Sequence, residues 1–482
     1  MPHKDHKIVD FFPFAPTSSQ LEVINQLQLF LEDQEDHSIF LLRGYAGTGK
    51  SSLVGAFAKM LRSMGINLVL LAPTGRAAKV LQGYCEMPAH TIHKTIYRER
   101  SSSAGISYEI GYNKDPYGTI YIVDECSMIN NSNDGYGSFG SGRLLDDLTD
   151  FCFSVDGTKI LMIGDDAQLP PVGTELSPAL DPNYLLGYCS RLYQGILKDI
   201  VRQEKSGEIV YLSYLLRARI LDLQTGGKWS EPLLPMPEED GEVSIISGYD
   251  LPECMEDSFR NVGQDETILV TRSNRDAEEF NKAIRYRSLY YDDEVIPGER
   301  LMVVRNNYLY QSFDDHGKPI SSFIANGEIL KVLNTRREQQ LHGFTFREAE
   351  LEDSNGGFIS ANIIMESLFT ESPALTKEQR EKLYESVLKD YPECTNRRDL
   401  VAKLRKDPFL NALQIKYAYA MTCHKSQGGQ WKDVYLSFGY LTPEMIDLSF
   451  CRWLYTAMTR ATEHLYIINP PDFIFGTNGE SE

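Results

Sequence analysis

Gly44-Tyr45-Ala46-Gly47-Thr48-Gly49-Lys50-Ser51 fits the pattern GxxxxGK[ST] and lies between an apolar run, Ile39 to Leu42, and a helix pattern running from Lys50 to Met64. Strand, glycine-rich turn and helix in that order build a loop whose backbone N–H groups converge on phosphate oxygens, with the helix N-terminus adding positive potential. In such a loop Lys50 reaches the β- and γ-phosphates and the Ser51 hydroxyl ligates Mg²⁺. Gly44, Ala46, Gly47, Thr48, Gly49, Lys50, Ser51 and Ser52 are therefore candidate nucleotide contacts. Downstream, Asp124 and Glu125 directly follow the apolar strand pattern Thr119 to Val123, which sets both carboxylates at the C-terminal edge of a parallel sheet, where ligands bind. Asp124 is the candidate holder of the Mg²⁺ hydration shell with Ser51. Glu125 is the candidate base for an attacking water. An Asp-Glu pair after a strand is commonplace, so this assignment takes its weight from the phosphate loop.

Working outward, strand patterns Asn67 to Ala72 and Lys159 to Ile163 and helix patterns Arg76 to Gln82 and Leu144 to Phe151 complete a βαβ series. That order predicts a parallel sheet covered on both faces. A second set appears late, with strand-like Thr267 to Thr271, Ala418 to Thr422, Val434 to Ser437 and Leu465 to Ile468 and a helix pattern over Arg452 to Ala461. Two α/β units are expected, the second interrupted by a β-rich stretch of about residues 290 to 410 (Leu301 to Arg305, Glu328 to Leu333, Phe358 to Ile364) and a charged helix pattern, Thr376 to Tyr391. Tyr97 to Gly118 reads as a hairpin with period-two apolar positions, either a surface hairpin or a functional one. Asn130 to Gly142, rich in Asn, Ser and Gly, reads as a flexible loop.

At 482 residues the chain is long enough for about three domains, and its 42% hydrophobic and 24% charged content is that of globular proteins. The net charge of −20 argues against a uniformly basic coat for nucleic acid. The average conceals asymmetry: Arg43 to Ala104 holds nine basic and two acidic residues, whereas Trp229 to Ser258 holds nine acidic and no basic ones. Eight scattered cysteines without a CxxC pair read as thiols of a reducing compartment, with no zinc site indicated. No apolar run approaches a membrane span, so a cytosolic protein is expected.

Further motifs carry a resemblance. Ala72-Pro73-Thr74-Gly75-Arg76-Ala77-Ala78-Lys79, Thr91-Ile92-His93, Asp124 to Met128, Gly164-Asp165 with Gln168 to Val172, Arg202-Gln203, Thr422 to Gly428 and Tyr455 to Ala461 stand in order after the phosphate loop. Together they resemble the motifs of superfamily 1B DNA helicases of the RecD and phage Dda type, over about Thr17 to Ile468. The resemblance implies an α/β chain of two RecA-like P-loop NTPase domains, with ATP and Mg²⁺ in the cleft between them. It implies residues 1–95 plus 119–190 as the first domain and 96–118 as an inserted pin. Residues 191–289 plus 411–482 would form the second domain, and 290–410 an SH3-like barrel inserted in it.

What the resemblance implies for activity is ATP-dependent translocation along single-stranded DNA, 5′ to 3′, with duplex opening at single-strand/duplex junctions, by a monomer. Gln20 is then the adenine-reading residue and Gln168 the γ-phosphate sensor. Arg202 and Arg460 come from the second domain, and Gly428 also faces the nucleotide. Strand contacts are implied for Pro73, Thr74, Gly75, Arg76, Thr91, His93, Thr422, His424 and Ser426. Other readings stay open: His90 and His93 as structural histidines, and Arg460 paired with a local carboxylate such as Glu463. Ala402 to Lys432, with six basic residues and one acidic, is either a solvated face or a channel wall. The function alternatives are a translocase that does not unwind and, in a different class, an NTP-binding switch or small-molecule kinase. Gln430 stands where some relatives carry a ribose-binding glutamate.

Overall fold

The computed structural model describes residues 7–476 apart from 103–104, 133–139, 200–206, 308, 315, 318, 322–323, 354–355 and 395. A first, six-stranded sheet runs in the order Ala89–Thr91, Leu68–Ala72, Ile120–Val123, Lys159–Gly164, Ser38–Gly44, Arg191–Leu197, and every neighbouring pair is parallel. Alternate residues of the strand Ser38–Gly44 go to opposite faces, and both faces are covered. Phe40 and Leu42 join one apolar cluster with Phe57 and Leu61 of the helix Lys50–Ser63, while Ile39 and Leu41 join another with Leu145 and Leu148 of the helix Leu144–Phe153. That two-faced burial is why the strand reads as an unbroken apolar run.

A second, five-stranded parallel sheet has the order Ala420–Thr422, Thr267–Thr271, Trp431–Ser437, Ala461–Ile468, Val243–Ile246. Inserted in this unit is a closed barrel of five strands. Phe358–Ile364, Phe344–Glu352, Ile329–Leu341, Arg300–Val303 and Leu413–Tyr417 pair in turn, and Leu413–Tyr417 returns to Phe358–Ile364 through Ile363 with Leu413. Its interior (Leu301, Val332, Leu351, Ile363) belongs to the same apolar cluster as Leu269 and Tyr435 of the second sheet. The barrel is thus packed onto the sheet rather than tethered to it. The helices Lys377–Leu388 and Arg397–Lys406 add a smaller cluster around Phe346 and Val387.

Two boundaries differ from the expectation. Arg191–Leu197, assigned by the sequence reading to the second unit, pairs with Ser38–Gly44 and is the edge strand of the first sheet. Leu413–Tyr417, expected beyond the insertion, is the strand that closes the barrel. In both places a short strand completes hydrogen bonding that its neighbour would otherwise leave open, a long-range demand that local pattern does not register.

The pin consists of Tyr97–Ser102 and Gly105–Ile110, antiparallel, with Tyr97 opposite Ile110. The loop after Asp124-Glu125 is anchored where it is described. Asn131 donates to Asp146 and to the hydroxyls of Tyr184 and Tyr188, and it accepts from the N–H groups of Leu145 and Asp146. Flexibility was expected from composition, but this buried amide caps the following helix. Residues 133–139 of that loop lie outside the described residues. All eight cysteines are free thiols. Among the described residues no helix is long and apolar enough to cross a membrane.

Candidate active site

The phosphate loop turns through left-handed backbone at Gly47 (φ 76°) and Gly49 (φ 81°) before the helix Lys50–Ser63 begins. Glycine serves there because side chains oppose that conformation. Gly44 is required for a different reason: a Cβ on it would lie 3.0 Å from both Lys50 Cγ and Thr48 Oγ1. Lys50 Nζ donates to the carbonyls of Gly44 (2.7 Å) and Tyr45 (2.9 Å), folded back over the loop. An open cleft of about 410 Å³ lies above it, lined from the first unit by Ala46, Gly47, Gly49, Lys50, Ser51, Ser52, Asp124, Glu125 and Gln168, and from the second by Gly428, Gln430, Thr459 and Arg460. These residues of both units, each expected from the sequence, therefore meet in one place.

Asp165 is buried, and Asp124 and Glu125 are half-buried at the cleft wall. Asp124, Glu125 and Asp165 all have their pKa raised, first by desolvation, while Lys50 pulls each of them the other way. Arg460 also pulls Glu125 down. Three carboxyls and two cations crowded out of water make a site whose protonation depends on what enters it. Glu125 takes left-handed backbone (φ 52°), a conformation that costs a non-glycine residue about 1–3 kcal/mol. The Gln168 side-chain oxygen is buried and has no hydrogen-bond partner, an orphaned acceptor at the cleft wall.

Arg460 is 3% exposed and is held by its own unit. Its Nε donates to Thr456 O, one terminal nitrogen to Gly429 O, and the other to Thr459 Oγ1. Glu463, the local carboxylate considered above, is engaged elsewhere, 2.9 Å from Lys432 Nζ. The guanidinium is thus fixed by neutral acceptors, two carbonyls and a hydroxyl, and no carboxylate among the described residues neutralises it.

Ser51 and Asp124 offer a hydroxyl and a carboxylate oxygen, and no cluster of three or more His, Cys, Asp or Glu groups that could hold a metal occurs among the described residues. Such a sparse set suits magnesium, which takes its remaining ligands from phosphates and water. Gln20 sits behind the loop, fully buried. Its amide donates to Thr48 O (3.0 Å) and accepts from Thr17 N–H (2.9 Å), a capping box at the start of the helix Ser18–Glu32. Gly44 and Thr48 likewise shape the loop from behind and do not line the cleft. Arg202 lies outside the described residues.

Of the strand-motif residues, Arg76 and Thr74 lie on the seam between the units. Arg76 stacks on the Trp431 ring (3.7 Å) and donates to Gln430 O, and its pKa is lowered to about 10 by burial and by Arg300. Thr74 caps its helix by accepting from Ala77 N–H, and Thr91 caps the next by accepting from Lys94 N–H. Pro73 is half-buried and Gly75 exposed. Ser426 is fully buried, its hydroxyl donating to Cys423 O, and Thr422 is nearly so. His424 is exposed. His93 is half-buried, 5.6 Å from the Tyr97 ring, and burial lowers its pKa to about 4 despite Asp147.

Residues not assigned a role from sequence complete the seam. Tyr455 accepts from Ala46 N–H (2.9 Å) and donates to Asp165 (2.7 Å), tying the phosphate loop to the second unit. Thr456 and Gln427 grip the N–H and carbonyl of Leu169. Arg217 stacks on Tyr45, and Phe14 lines the cleft beside the loop. Tyr455, Thr456 and Gln427 stand inside quoted motifs, so proximity in sequence was the available signal. Nothing local marks Arg217 or Phe14.

Residues 18–217 match the AAA domain family, and residues 417–468 match the UvrD-like helicase C-terminal domain. The first unit thus carries the AAA domain match and the second the UvrD-like helicase C-terminal match. Each matched segment spans the motifs that meet in the cleft. A protein of Acanthamoeba polyphaga mimivirus with no described role is 24% identical over 93% of this chain and 98% of its own length. The ATP-dependent DNA helicase dda of Enterobacteria phage T4 is 24% identical over 66% of this chain and 67% of its own length. A crystal structure of a Bacteroides Pif1 helicase with ADP-AlF3 and ssDNA is 16% identical, covers 96% of this chain and 93% of that one, and superposes with a TM-score of 0.45.

Proposed function

We propose that this chain is a superfamily 1 ATP-dependent DNA helicase that moves 5′ to 3′ along single-stranded DNA and opens duplex at single-strand/duplex junctions, acting as a cytosolic monomer. The observation that carries the reading is the placement of Arg460. A permanently charged group of the second unit faces Lys50 and Glu125 of the first, held by two carbonyls and a hydroxyl of its own unit and by no carboxylate among the described residues. Such a group stabilises charge on a transferring phosphoryl only while the two units are closed together, which links hydrolysis to domain motion. A nucleotide switch or small-molecule kinase needs no second sheet to complete its phosphate site.

Within the cleft the division of labour follows from position. The loop N–H groups and Lys50 bind the phosphates, Glu125 orients water and accepts its proton, and Gln168 offers its unpartnered amide oxygen as an acceptor to that water. Ser51 and Asp124 hold Mg²⁺, which when bound neutralises developing phosphate charge. The second-unit contacts through Tyr455, Thr456 and Gln427 carry the state of the cleft to motifs read as strand-facing.

The test is ATP turnover with and without single-stranded DNA, followed by unwinding of 5′-tailed and 3′-tailed duplexes. Strong stimulation by the strand and opening of only the 5′-tailed duplex are expected. Turnover indifferent to DNA would remove the motor reading. Stimulation without unwinding of either duplex would leave a translocase, and opening of the 3′-tailed duplex would reverse the direction.

A further inference from the structure

The helix Gly75–Cys85 begins at the strand motif and ends at the nucleotide cleft. Its last turn crosses the phosphate-loop helix closely, because Gly55 there has no side chain: a Cβ at Gly55 would lie 2.7 Å from the Tyr84 carbonyl oxygen. That approach carries the Tyr84 side chain to the cleft wall, where its hydroxyl donates a hydrogen bond to Asp124 Oδ2. The other carboxylate oxygen, Oδ1, accepts the N–H of Glu125 at 2.8 Å. Asp124 is therefore gripped at both oxygens, and two donors on a planar group fix its orientation. Each oxygen keeps a lone pair for a further ligand.

We infer that Tyr84 is a positioning residue for magnesium: its hydroxyl sets the Asp124 carboxylate in the plane from which it takes the Mg²⁺ hydration shell. This rests on the reading of the cleft as a Mg–ATP site. Tyr84 touches neither nucleotide nor metal in this role and acts only through Asp124. Hydrogen-bond partners that orient a metal-holding group commonly change metal affinity 10- to 100-fold when removed. Because Tyr84 lies on the helix that opens with Pro73 to Arg76, it also gives strand-facing residues a rigid connection to the metal-holding carboxylate.

The experiment uses the full chain and Tyr84→Phe, which removes one oxygen and keeps the ring. Binding of a fluorescent ADP is measured in EDTA and across a Mg²⁺ titration, without turnover. The variant should bind the nucleotide in EDTA as the wild type does, yet need roughly tenfold more Mg²⁺ to reach half of the metal-dependent gain in affinity. In an Asp124→Asn background the same substitution should have no effect on the Mg²⁺ requirement. An unchanged Mg²⁺ midpoint with a lower melting temperature would make Tyr84 a packing residue and overturn the inference. So would an unchanged midpoint with raised DNA-independent turnover, which would make it a restraint. If the wild-type chain itself gains no affinity from Mg²⁺, the reading of the cleft fails instead.

Discussion

The nucleotide cleft and the strand-motif seam are built from motifs of the same kind, yet their side chains are in opposite conditions. In the cleft, Lys50 and Arg460 rest on backbone carbonyls, and Asp124, Glu125 and Asp165 are pushed up in pKa by burial. Those charges are settled fully only by an ionic ligand. On the seam, polar groups are already engaged: Arg76 stacks on Trp431, Thr74 and Thr91 cap helices, and Ser426 bonds Cys423. The cleft motifs hold chemistry in readiness. The seam motifs are engaged within their own units, with Arg76 crossing to Trp431 and Gln430, so a strand in the proposed role would be met by backbone, shape and the exposed His424.

The largest expected effect lies in the cleft. Arg460→Lys should bind nucleotide and single-stranded DNA nearly as the wild type does while losing a thousandfold or more in turnover, the scale of removing an arginine finger. Lysine cannot reproduce a guanidinium that is oriented through Thr456 and Gly429 while its charge faces the cleft. Turnover and melting temperature are measured side by side. Loss of stability with turnover within tenfold of wild type would reduce Arg460 to a strut and erase the contrast between the regions.

A smaller effect tests the seam. Arg76 and Trp431 face each other across the units at 3.7 Å, and a double-mutant cycle with alanine at each should give a coupling of about 0.5–2 kcal/mol in stability. Arg76→Ala should lower strand-stimulated turnover several-fold, with the salt dependence of strand binding unchanged. If strand affinity falls instead, with a log–log salt slope reduced by about 0.7 and no coupling to Trp431, the arginine neutralises a phosphate and belongs to the strand surface.

The two regions also differ in how far the sequence disclosed them. The phosphate loop, Asp124-Glu125 and the two parallel sheets depend on local order: a motif flanked by a strand and a helix, and carboxylates at a strand end. These are properties of adjacent residues. Arg76 on Trp431, Tyr84 on Asp124 and Tyr455 between Ala46 and Asp165 join residues separated by up to several hundred positions, so no spacing announces them. The strands Arg191–Leu197 and Leu413–Tyr417 were misassigned for the same reason, since only the partner strand decides which sheet a short run completes. Gln20 adds a third case. The family resemblance implies a base-reading amide there, and in the structure both ends of that amide are bonded within the protein, to Thr48 and Thr17.

The smallest effect comes from His93 and sharpens the seam side of the contrast. Burial holds this imidazole near a pKa of about 4, against the Asp147 charge that favours its protonated form. An unfolded histidine titrates near 6.5, so between roughly pH 6.5 and 4 the unfolded chain binds the proton that the folded chain refuses. Folding stability contributed by this ring is therefore whole above pH 6.5 and falls as the pH drops toward 4. Urea midpoints of wild type and His93→Gln should run parallel from pH 8 to 6.5, with the wild type falling more steeply below. Across the upper range the ring is neutral, so single-strand affinity should be flat on its account between pH 6.5 and 8. An affinity that weakens through pH 6 to 7 in the wild type, and not in His93→Gln, would mean that the ring is charged when the strand is bound. His93 would then stand with Lys50 and Arg460 as a cation awaiting a phosphate, and the division between a reactive cleft and an architectural seam would have to be redrawn at the foot of the pin.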